Sequence, residues 1–171
     1  MKVLIFGSVA SGKTTLARKL SEKLDITHYE GDNIAWGFRD NGERYKRSGT
    51  EQAEIIEEIN QKSDWIIEGT YRASQKILYD YADKIVFLDT PLLLRKFRIV
   101  LRFIKQQLGL EKCHYKSDFK MFKLMFKWTK DFEAKRQEHE ARLMEYPEKL
   151  IWISNPKELG EKITTAERIN Q

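Results

Sequence analysis

The stretch Gly7-Ser8-Val9-Ala10-Ser11-Gly12-Lys13-Thr14 follows the apolar run Val-Leu-Ile-Phe at residues 3–6 and fits the pattern G-x-x-x-x-G-K-[ST] at every fixed position. Glycines at 7 and 12 allow a tight turn whose backbone N–H groups point inward at a phosphate chain. A helix that opens at Lys13 adds the positive end of its dipole to the same site. The predicted nucleotide-contacting residues are Gly7, Ser8, Ala10, Ser11, Gly12, Lys13, Thr14 and Thr15. The motif therefore predicts a site for a nucleoside triphosphate, which we take to be ATP.

Within this site two side chains have predicted chemical roles. Lys13 is expected to reach the β- and γ-phosphate oxygens, and the Thr14 hydroxyl is expected to ligate Mg²⁺. The chemistry also needs a carboxylate near the metal. Two predicted strands end in one, at Glu68 and at Asp89. We assign Glu68 to the metal and Asp89 to a structural role, because Asp89 before Thr90-Pro91 is well placed to cap a helix.

The length and composition predict one domain, residues 1–171, in a cytoplasmic protein. No apolar run approaches the roughly 20 residues of a membrane span, and the first predicted strand at residue 2 leaves no room for a signal peptide. Cys113 is the only cysteine, so no internal disulfide forms and a reduced cytoplasm is the expected setting.

Five runs rich in β-branched or aromatic residues alternate with helical patterns, which predicts an α/β fold with a five-stranded parallel sheet. The predicted strands are residues 2–6, 27–30, 65–68, 84–88 and 150–153. The predicted helices cover residues 13–24, 50–61, a segment after Pro91, residues 117–145 and a closing segment from Pro156. Residues 33–49 are predicted to form a long functional loop on the acceptor side of the site.

The net charge of +5 is unevenly distributed. Residues 95–136 contain 13 Lys and Arg and 4 Asp and Glu, a balance of +9, which leaves −4 for the rest of the chain. The basic residues recur at helical spacing in two arcs: Arg95, Arg98, Arg102 and Lys105, then Lys116, Lys120, Lys123, Lys127 and Lys130. Such arcs, interleaved with aromatic residues, indicate either phosphate contacts or a basic surface for nucleic acid, membrane or a partner.

The segment Glu68-Gly69-Thr70-Tyr71-Arg72 resembles the acid-Gly-x-x-Arg element of the adenylate-kinase-like nucleoside monophosphate kinases, P-loop NTPases with a three-layer α/β/α sandwich and a small helical lid. The resemblance implies that Glu68 contacts Mg²⁺ through water and that Arg72 holds the acceptor phosphate. Asp89-Thr90-Pro91 with Arg98 and Arg102 is similar to that family's next strand and its phosphate-binding arginines. Gly31-Asp32 is similar to its acceptor-site entry.

Over nearly its whole length the chain resembles, more closely, the FlaR-related DNA topology modulation proteins. The similarity is carried by Trp65-Ile66-Ile67-Glu68-Gly69-Thr70-Tyr71, by Phe87-Leu88-Asp89 and by the aromatic, basic third quarter. The name of that group implies a DNA-related phenotype and leaves open whether DNA is a ligand.

The chain departs from the adenylate kinases at Glu30 and Ala35, which stand where that family has an acceptor-loop threonine and arginine. An acid there would repel a nucleoside monophosphate. Asp32 is placed like the general base of P-loop kinases that phosphorylate a hydroxyl, although Asp-Asn is also turn or cap chemistry. Arg136 is our candidate for a lid arginine, with an ordinary helix charge as the alternative; the same alternative holds for Arg72 as a surface arginine.

These features together predict a Mg²⁺-dependent phosphotransferase that moves the γ-phosphoryl group of ATP to a small acceptor, nucleotide-like or hydroxylated. The acceptor would lie between residues 33–49 and Arg72, under a basic helical lid at residues 103–146. Two alternatives stay open from the sequence. One is a nucleic-acid-binding protein with ATP as a switch, and the other is a plain NTPase.

Overall fold

The computed structural model describes residues 1–110 and 118–159, and every strand of the predicted parallel sheet is present in it. The strands are β1 (Lys2–Phe6), β2 (His28–Glu30), β3 (Trp36–Phe38), β4 (Arg44–Lys46), β5 (Trp65–Gly69), β6 (Lys84–Leu88) and β7 (Leu150–Ile153). Five of them form the main sheet in the order β2-β5-β1-β6-β7, and all of its pairs are parallel. The fold class expected from the sequence is therefore confirmed.

Helices cover both faces of this sheet and make a three-layer α/β/α sandwich. They are α1 (Lys13–Leu24), α2 (Gly31–Ala35), α3 (Gly49–Asn60), α4 (Ile77–Tyr81), α5 (Leu92–Gln107), α6 (Phe119–Ala134) and α7 (Arg136–Leu143). Val3 and Ile5 of β1 pack on one side against α1, whereas Leu4 and Phe6 pack on the other side against α3, α4, α6 and α7. This alternation follows from the two-residue period of a strand. None of the helices in the described ranges is long and apolar enough to cross a bilayer.

Residues 33–49 contain more structure than the predicted loop. After α2, the strands β3 and β4 form an antiparallel hairpin in which Gly37 pairs with Tyr45. A Cβ atom at Gly37 would lie 2.8 Å from the Tyr45 ring, so glycine allows the ring to cover the strand. The Arg44 guanidinium lies 4.6 Å from the centre of the Trp36 ring. These cross-strand contacts stabilise a hairpin whose strands of three residues carry little signal of their own.

The single helix predicted over residues 117–145 is wrong, because the structure divides it at Lys135, whose φ of −99° and ψ of 12° leave the helical region. No glycine or proline marks this break. The change of direction lets Leu143 of α7 join Phe132 of α6 in the main core. The predicted residues Cys113 and Lys116, and nearly all of the closing helix, lie outside the described residues.

Candidate active site

The P-loop, residues 7–14, connects the carboxyl end of β1 to the first turn of α1. A Cβ atom at Gly7 would lie 2.8 Å from the Leu88 carbonyl oxygen, so only glycine lets the loop pass this close to β6. Gly12 has a φ of +101°, and Ala10 also lies in the left-handed region with a φ of 56°. An alanine held in that conformation indicates that the surroundings of the loop determine its shape.

Thr90, which follows β6, and Arg98, which lies in α5, both donate hydrogen bonds to the backbone of the P-loop. The carbonyl oxygen of Ser11 accepts a hydrogen bond of 2.8 Å from the Thr90 hydroxyl and one of 2.6 Å from Nη1 of Arg98. Arg98 also donates to the Ala10 carbonyl at 3.3 Å. Both donors therefore fix the two residues that precede Gly12.

Lys13 is buried at the base of the P-loop, and its Nζ donates to the Ser8 carbonyl at 2.8 Å. Burial lowers the pKa of its amino group below the ordinary value of 10.5, while the nearby carboxylates of Glu68 and Asp32 act in the opposite direction. Arg72 and Arg95 add to the lowering. Because the Lys13 amino group is buried and lies near two arginines, its surroundings are suited to bind an anion.

Glu68 and Thr14 meet at the predicted metal position. Glu68 lies near the carboxyl end of β5 and is 7% exposed. Its Oε1 accepts a hydrogen bond of 2.6 Å from the Thr14 hydroxyl. The hydroxyls of Ser8 and Ser11 are buried and have no hydrogen-bond partner within the described residues. Oxygen donors of this kind fit Mg²⁺.

Within residues 1–110 and 118–159, no three or more His, Cys, Asp or Glu side chains cluster closely enough to bind a metal ion without other ligands. A Mg²⁺ ion would therefore share Thr14 and Glu68 with phosphate oxygens, which is its usual mode in nucleotide sites.

Asp32 and Arg72 form an ion pair on the acceptor side of the site. Asp32 lies in the first turn of α2, directly after β2, and its side chain is 63% exposed. Arg72 follows β5 and keeps its Nη1 buried without a partner in the described part of the chain. The structure thus places beside Lys13 an accessible carboxylate and a guanidinium with spare hydrogen-bonding capacity.

Three polar residues that the sequence analysis did not select hold α2 in place. Gln75, which is buried, donates to the Gly31 carbonyl at 3.0 Å and to Gln52 at 3.2 Å. Arg47 donates to the carbonyls of Asn33, Ile34 and Trp36 around the end of α2. Their spacing along the chain has no helical or strand period, so no sequence pattern identifies them.

The prediction that Asp89 caps α5 is wrong. That helix begins after Pro91, and no side chain among the described residues caps its start. The Asp89 carboxylate accepts from Arg136 at the start of α7 and from the Trp152 indole at 3.3 Å. Arg136 also bonds Glu140 at 2.8 Å. The hydrogen bond that Arg136 donates to Asp89 raises the pKa of the guanidinium. Arg136 is therefore engaged by carboxylates, and its role as a lid arginine stays a prediction.

The two arginines of α5 that were assigned to phosphate lie in different surroundings. Arg98 contacts the P-loop backbone, as described above. Arg102 lines a cavity between α5 and α6 with Ile99, Phe103 and Met125. Thr15 is exposed in the first turn of α1. Arg95, which was seen only as part of the basic arc, is 2% exposed and bonds Glu133 and the Thr90 carbonyl.

A small cavity lies beside Glu68 and Arg72, against the core side chains of β1 and α4. It is lined by Phe6, Ile67, Glu68, Arg72, Gln75 and Tyr79, among others. Its walls combine apolar and aromatic side chains with one acid, one amide and one arginine. Its volume of about 10 Å³ holds about one water molecule, so this space is not by itself a ligand pocket.

Comparison with known sequences yields little. No family model matches the chain. It is 29% identical over 143 residues to the uncharacterized protein YqaC of Bacillus subtilis (strain 168), over 82% of this chain and 77% of that protein.

Comparison with solved structures shows the fold. Shikimate kinase from Acinetobacter baumannii has a TM-score of 0.58 and 16% identity, covering 99% of this chain and 94% of that chain. A gluconokinase from Sinorhizobium meliloti 1021 has a TM-score of 0.51 and 14% identity, covering 89% and 81%. Deoxyadenosine kinase from M. mycoides with bound dATP has a TM-score of 0.51 and 13% identity, covering both chains fully. The chain therefore has the P-loop kinase fold, and the narrower likeness to the FlaR-related proteins stays a prediction.

Proposed function

We propose that this protein is an ATP- and Mg²⁺-dependent phosphotransferase that phosphorylates a hydroxyl group of a small acceptor. The observation that carries the proposal is the position of the Asp32–Arg72 pair. It lies at the carboxyl ends of β2 and β5, beside the buried Lys13 and the Thr14–Glu68 contact at the end of β1. Groups suited to the nucleotide and groups suited to an acceptor thus share one edge of the sheet, where ligands bind in α/β folds.

The similar structures support a small acceptor. Their names describe kinases of shikimate, gluconate and deoxyadenosine, and each of these molecules carries hydroxyl groups. Glu30 at the end of β2 is paired with Arg18 at 3.6 Å, which offsets its negative charge, so Glu30 does not by itself disfavour an acceptor that carries a phosphate.

In the proposed mechanism the γ-phosphoryl group of ATP passes to the acceptor hydroxyl and ADP leaves; Thr14 and Glu68 would hold a Mg²⁺ ion, which would offset negative charge on the phosphates. Lys13 binds the phosphate oxygens from a water-poor position, where its charge acts strongly. Asp32 accepts the proton of the acceptor hydroxyl. Arg72 then turns its spare guanidinium N–H groups towards the acceptor, and the Thr90–Arg98 contacts keep the P-loop fixed. The predicted lid, residues 103–146, remains a proposal in part only, because Phe132 and Leu143 within it pack in the main core and are not free to close over the site.

The test is ADP release from Mg-ATP, measured alone and with a panel of polyols, sugars, hydroxy acids, nucleosides and nucleoside monophosphates. We expect release to depend on one class of hydroxylated acceptor and to be lost in Lys13→Ala. Asp32→Asn should lower kcat by about 10²- to 10⁴-fold with little change in the KM for ATP. Glu54→Gln, which neutralises an exposed carboxylate on α3, is the matched control and should keep wild-type kinetics.

Acceptor-independent turnover, unchanged in Asp32→Asn, would establish the plain NTPase instead. The nucleic-acid alternative rests on a separate observation, the exposed lysines of α6 at positions 120, 123, 127 and 130. It predicts DNA binding that weakens with salt and persists without ATP. A cytoplasmic location belongs to the proposal as well, since it provides both ATP and a reduced Cys113.

A further inference from the structure

Helix α5 is amphipathic, but its two faces are placed opposite to the arrangement usual for a surface helix. Two of its three arginines point inward, with Arg95 2% exposed and Arg98 bonded to the P-loop, whereas Arg102 is exposed. Its other side exposes a row of large apolar residues: Leu93, Leu94, Phe97, Val100, Leu101, Ile104 and Leu108. Leu93 is 79% exposed and Phe97 is 61% exposed. We call these seven residues the outer face of α5.

The outer face has a regular shape. At about 100° per residue, its seven side chains fall within an arc of about 120°. Lys96 and Lys105 lie just beyond the two margins of this arc, and both are exposed. Helix α5 contains no Asp or Glu. The outer face is therefore an apolar stripe with a cation on each side and no acid on its own helix.

The surroundings continue the same chemistry. Leu110, after the end of α5, is 73% exposed. Phe119, at the start of α6, is 70% exposed, and its ring lies 5.2 Å from that of Phe103 in α5. Helix α6 also carries exposed lysines, but it contacts α5 through Ile99, Arg102, Phe103 and Gln106, on the side away from the outer face. Leu110 and Phe119 therefore extend the apolar surface at the end of α5, and the lysines of α6 are not part of it.

A second copy of the chain does not complement this face. A two-fold antiparallel pairing of α5 with itself, centred between Val100 and Leu101, places Lys96 level with Lys105 of the other copy but on the opposite margin of the stripe. Because α5 contains no acid, neither lysine gains a partner of opposite charge in that pairing. A complementary surface has to be negative along both margins and apolar between them.

We propose that the outer face of α5 binds an anionic membrane surface, with the helix lying in the plane of the interface. The apolar stripe would enter the boundary of the acyl chains, and Lys96 and Lys105 would extend to negative headgroups on either side. A bilayer offers both features along the full length of the helix, whereas a protein partner would need acids matched to each margin. The proposal does not rest on the phosphotransferase activity.

The test is flotation of the full chain with vesicles of phosphatidylcholine alone or mixed with an equal amount of phosphatidylglycerol. We expect flotation only with the anionic vesicles, and less of it at high salt. Lys96→Gln with Lys105→Gln should lower the partition coefficient about 25-fold, at about fivefold per lysine. Leu93→Ser and Phe97→Ser should each lower it about tenfold or more.

The matched control is Phe38→Ser, because Phe38 is 69% exposed but lies on the β3–β4 hairpin. It should float as the wild type does. Since all these positions are exposed, an unchanged thermal unfolding midpoint will show that the variants are folded.

Three results would overturn the proposal. The first is no flotation of the wild type with anionic vesicles, which would assign the face to a protein partner. The second is equal flotation with both kinds of vesicle. The third is a dimer in sedimentation velocity that Leu93→Ser with Phe97→Ser converts to monomer, because a second copy would then cover the face.

Discussion

The carbonyl oxygen of Ser11 accepts hydrogen bonds from both Thr90 and Arg98, and this shared acceptor predicts that removing both donors costs more than the sum of the two single losses. Thr90→Val removes a neutral hydroxyl donor, which is worth about 0.5–1.5 kcal/mol. Arg98→Met removes a charged donor, worth about 1.5–3 kcal/mol. In each single variant the carbonyl keeps one partner.

The double variant leaves this carbonyl without either donor. Ser11 is 0% exposed, so water cannot replace the lost partners without a rearrangement of the loop. An unsatisfied buried acceptor adds about 1–3 kcal/mol. We therefore expect a coupling free energy of about 1–2 kcal/mol between Thr90 and Arg98 in the stability of the ligand-free protein.

Urea unfolding of the wild type, both single variants and the double variant measures this coupling directly. Calorimetric titration of the same four proteins with ATP should give a Kd that rises as the unfolding free energy falls, because a less stable P-loop is less well preorganised for the nucleotide. Losses that add to within about 0.5 kcal/mol would refute the shared role of the carbonyl.

Three further predictions concern single positions. Arg95→Met, which leaves Glu133 without its buried partner, should lower the unfolding free energy by about 2–4 kcal/mol, seen as a melting midpoint lower by about 5–15 °C. Gly12→Ala should cost about 1–2 kcal/mol in urea unfolding and weaken ATP binding, because alanine is strained at a φ of +101°; an unchanged midpoint would contradict this. Burial lowers the pKa of His139 below 6.5, so the unfolded state takes up a proton first as the pH falls, and stability should decrease below pH 6.5. His139→Phe should show a shallower decrease in urea titrations, and equal slopes would exclude His139 as the cause.

The main sheet was predictable because four of its five strands carry a run of apolar residues between clear helical patterns; the half-buried β2, His28–Glu30, has no such run. The P-loop and the Thr14–Glu68 contact were also within reach of the sequence: the motif places Thr14, and the end of β5 places Glu68. Parallel strands bring their carboxyl ends to one edge, so two groups 54 residues apart meet there.

What the sequence did not show depends on contacts between distant residues. The hairpin at residues 36–46 is stabilised by Arg44 on Trp36 and by Tyr45 over Gly37, and neither contact has a local signature. The break at Lys135 lacks a glycine or proline because it follows from packing in the core. The arcs of basic residues were visible, but their spacing alone does not tell which way they face. Arg98 contacts loop carbonyls, and its predicted contact with phosphate stays untested.

The strand order has a consequence for how the chain reaches its native state. β1 lies at the centre of the sheet, yet its partners begin at Trp65, opposite Lys2, and at Lys84, opposite Val3. β1 is therefore made before either of its partners, and both of its edges stay open until β5 and β6 follow. Of the four main-sheet pairs, β2–β5 and β6–β7 join strands that are consecutive in the sheet's chain order, whereas both pairs of β1 are non-local. Such non-local pairing slows folding and leaves apolar strands exposed to aggregation in the meantime. A nascent or truncated chain that stops before β6 would retain an unpaired, apolar edge on β1.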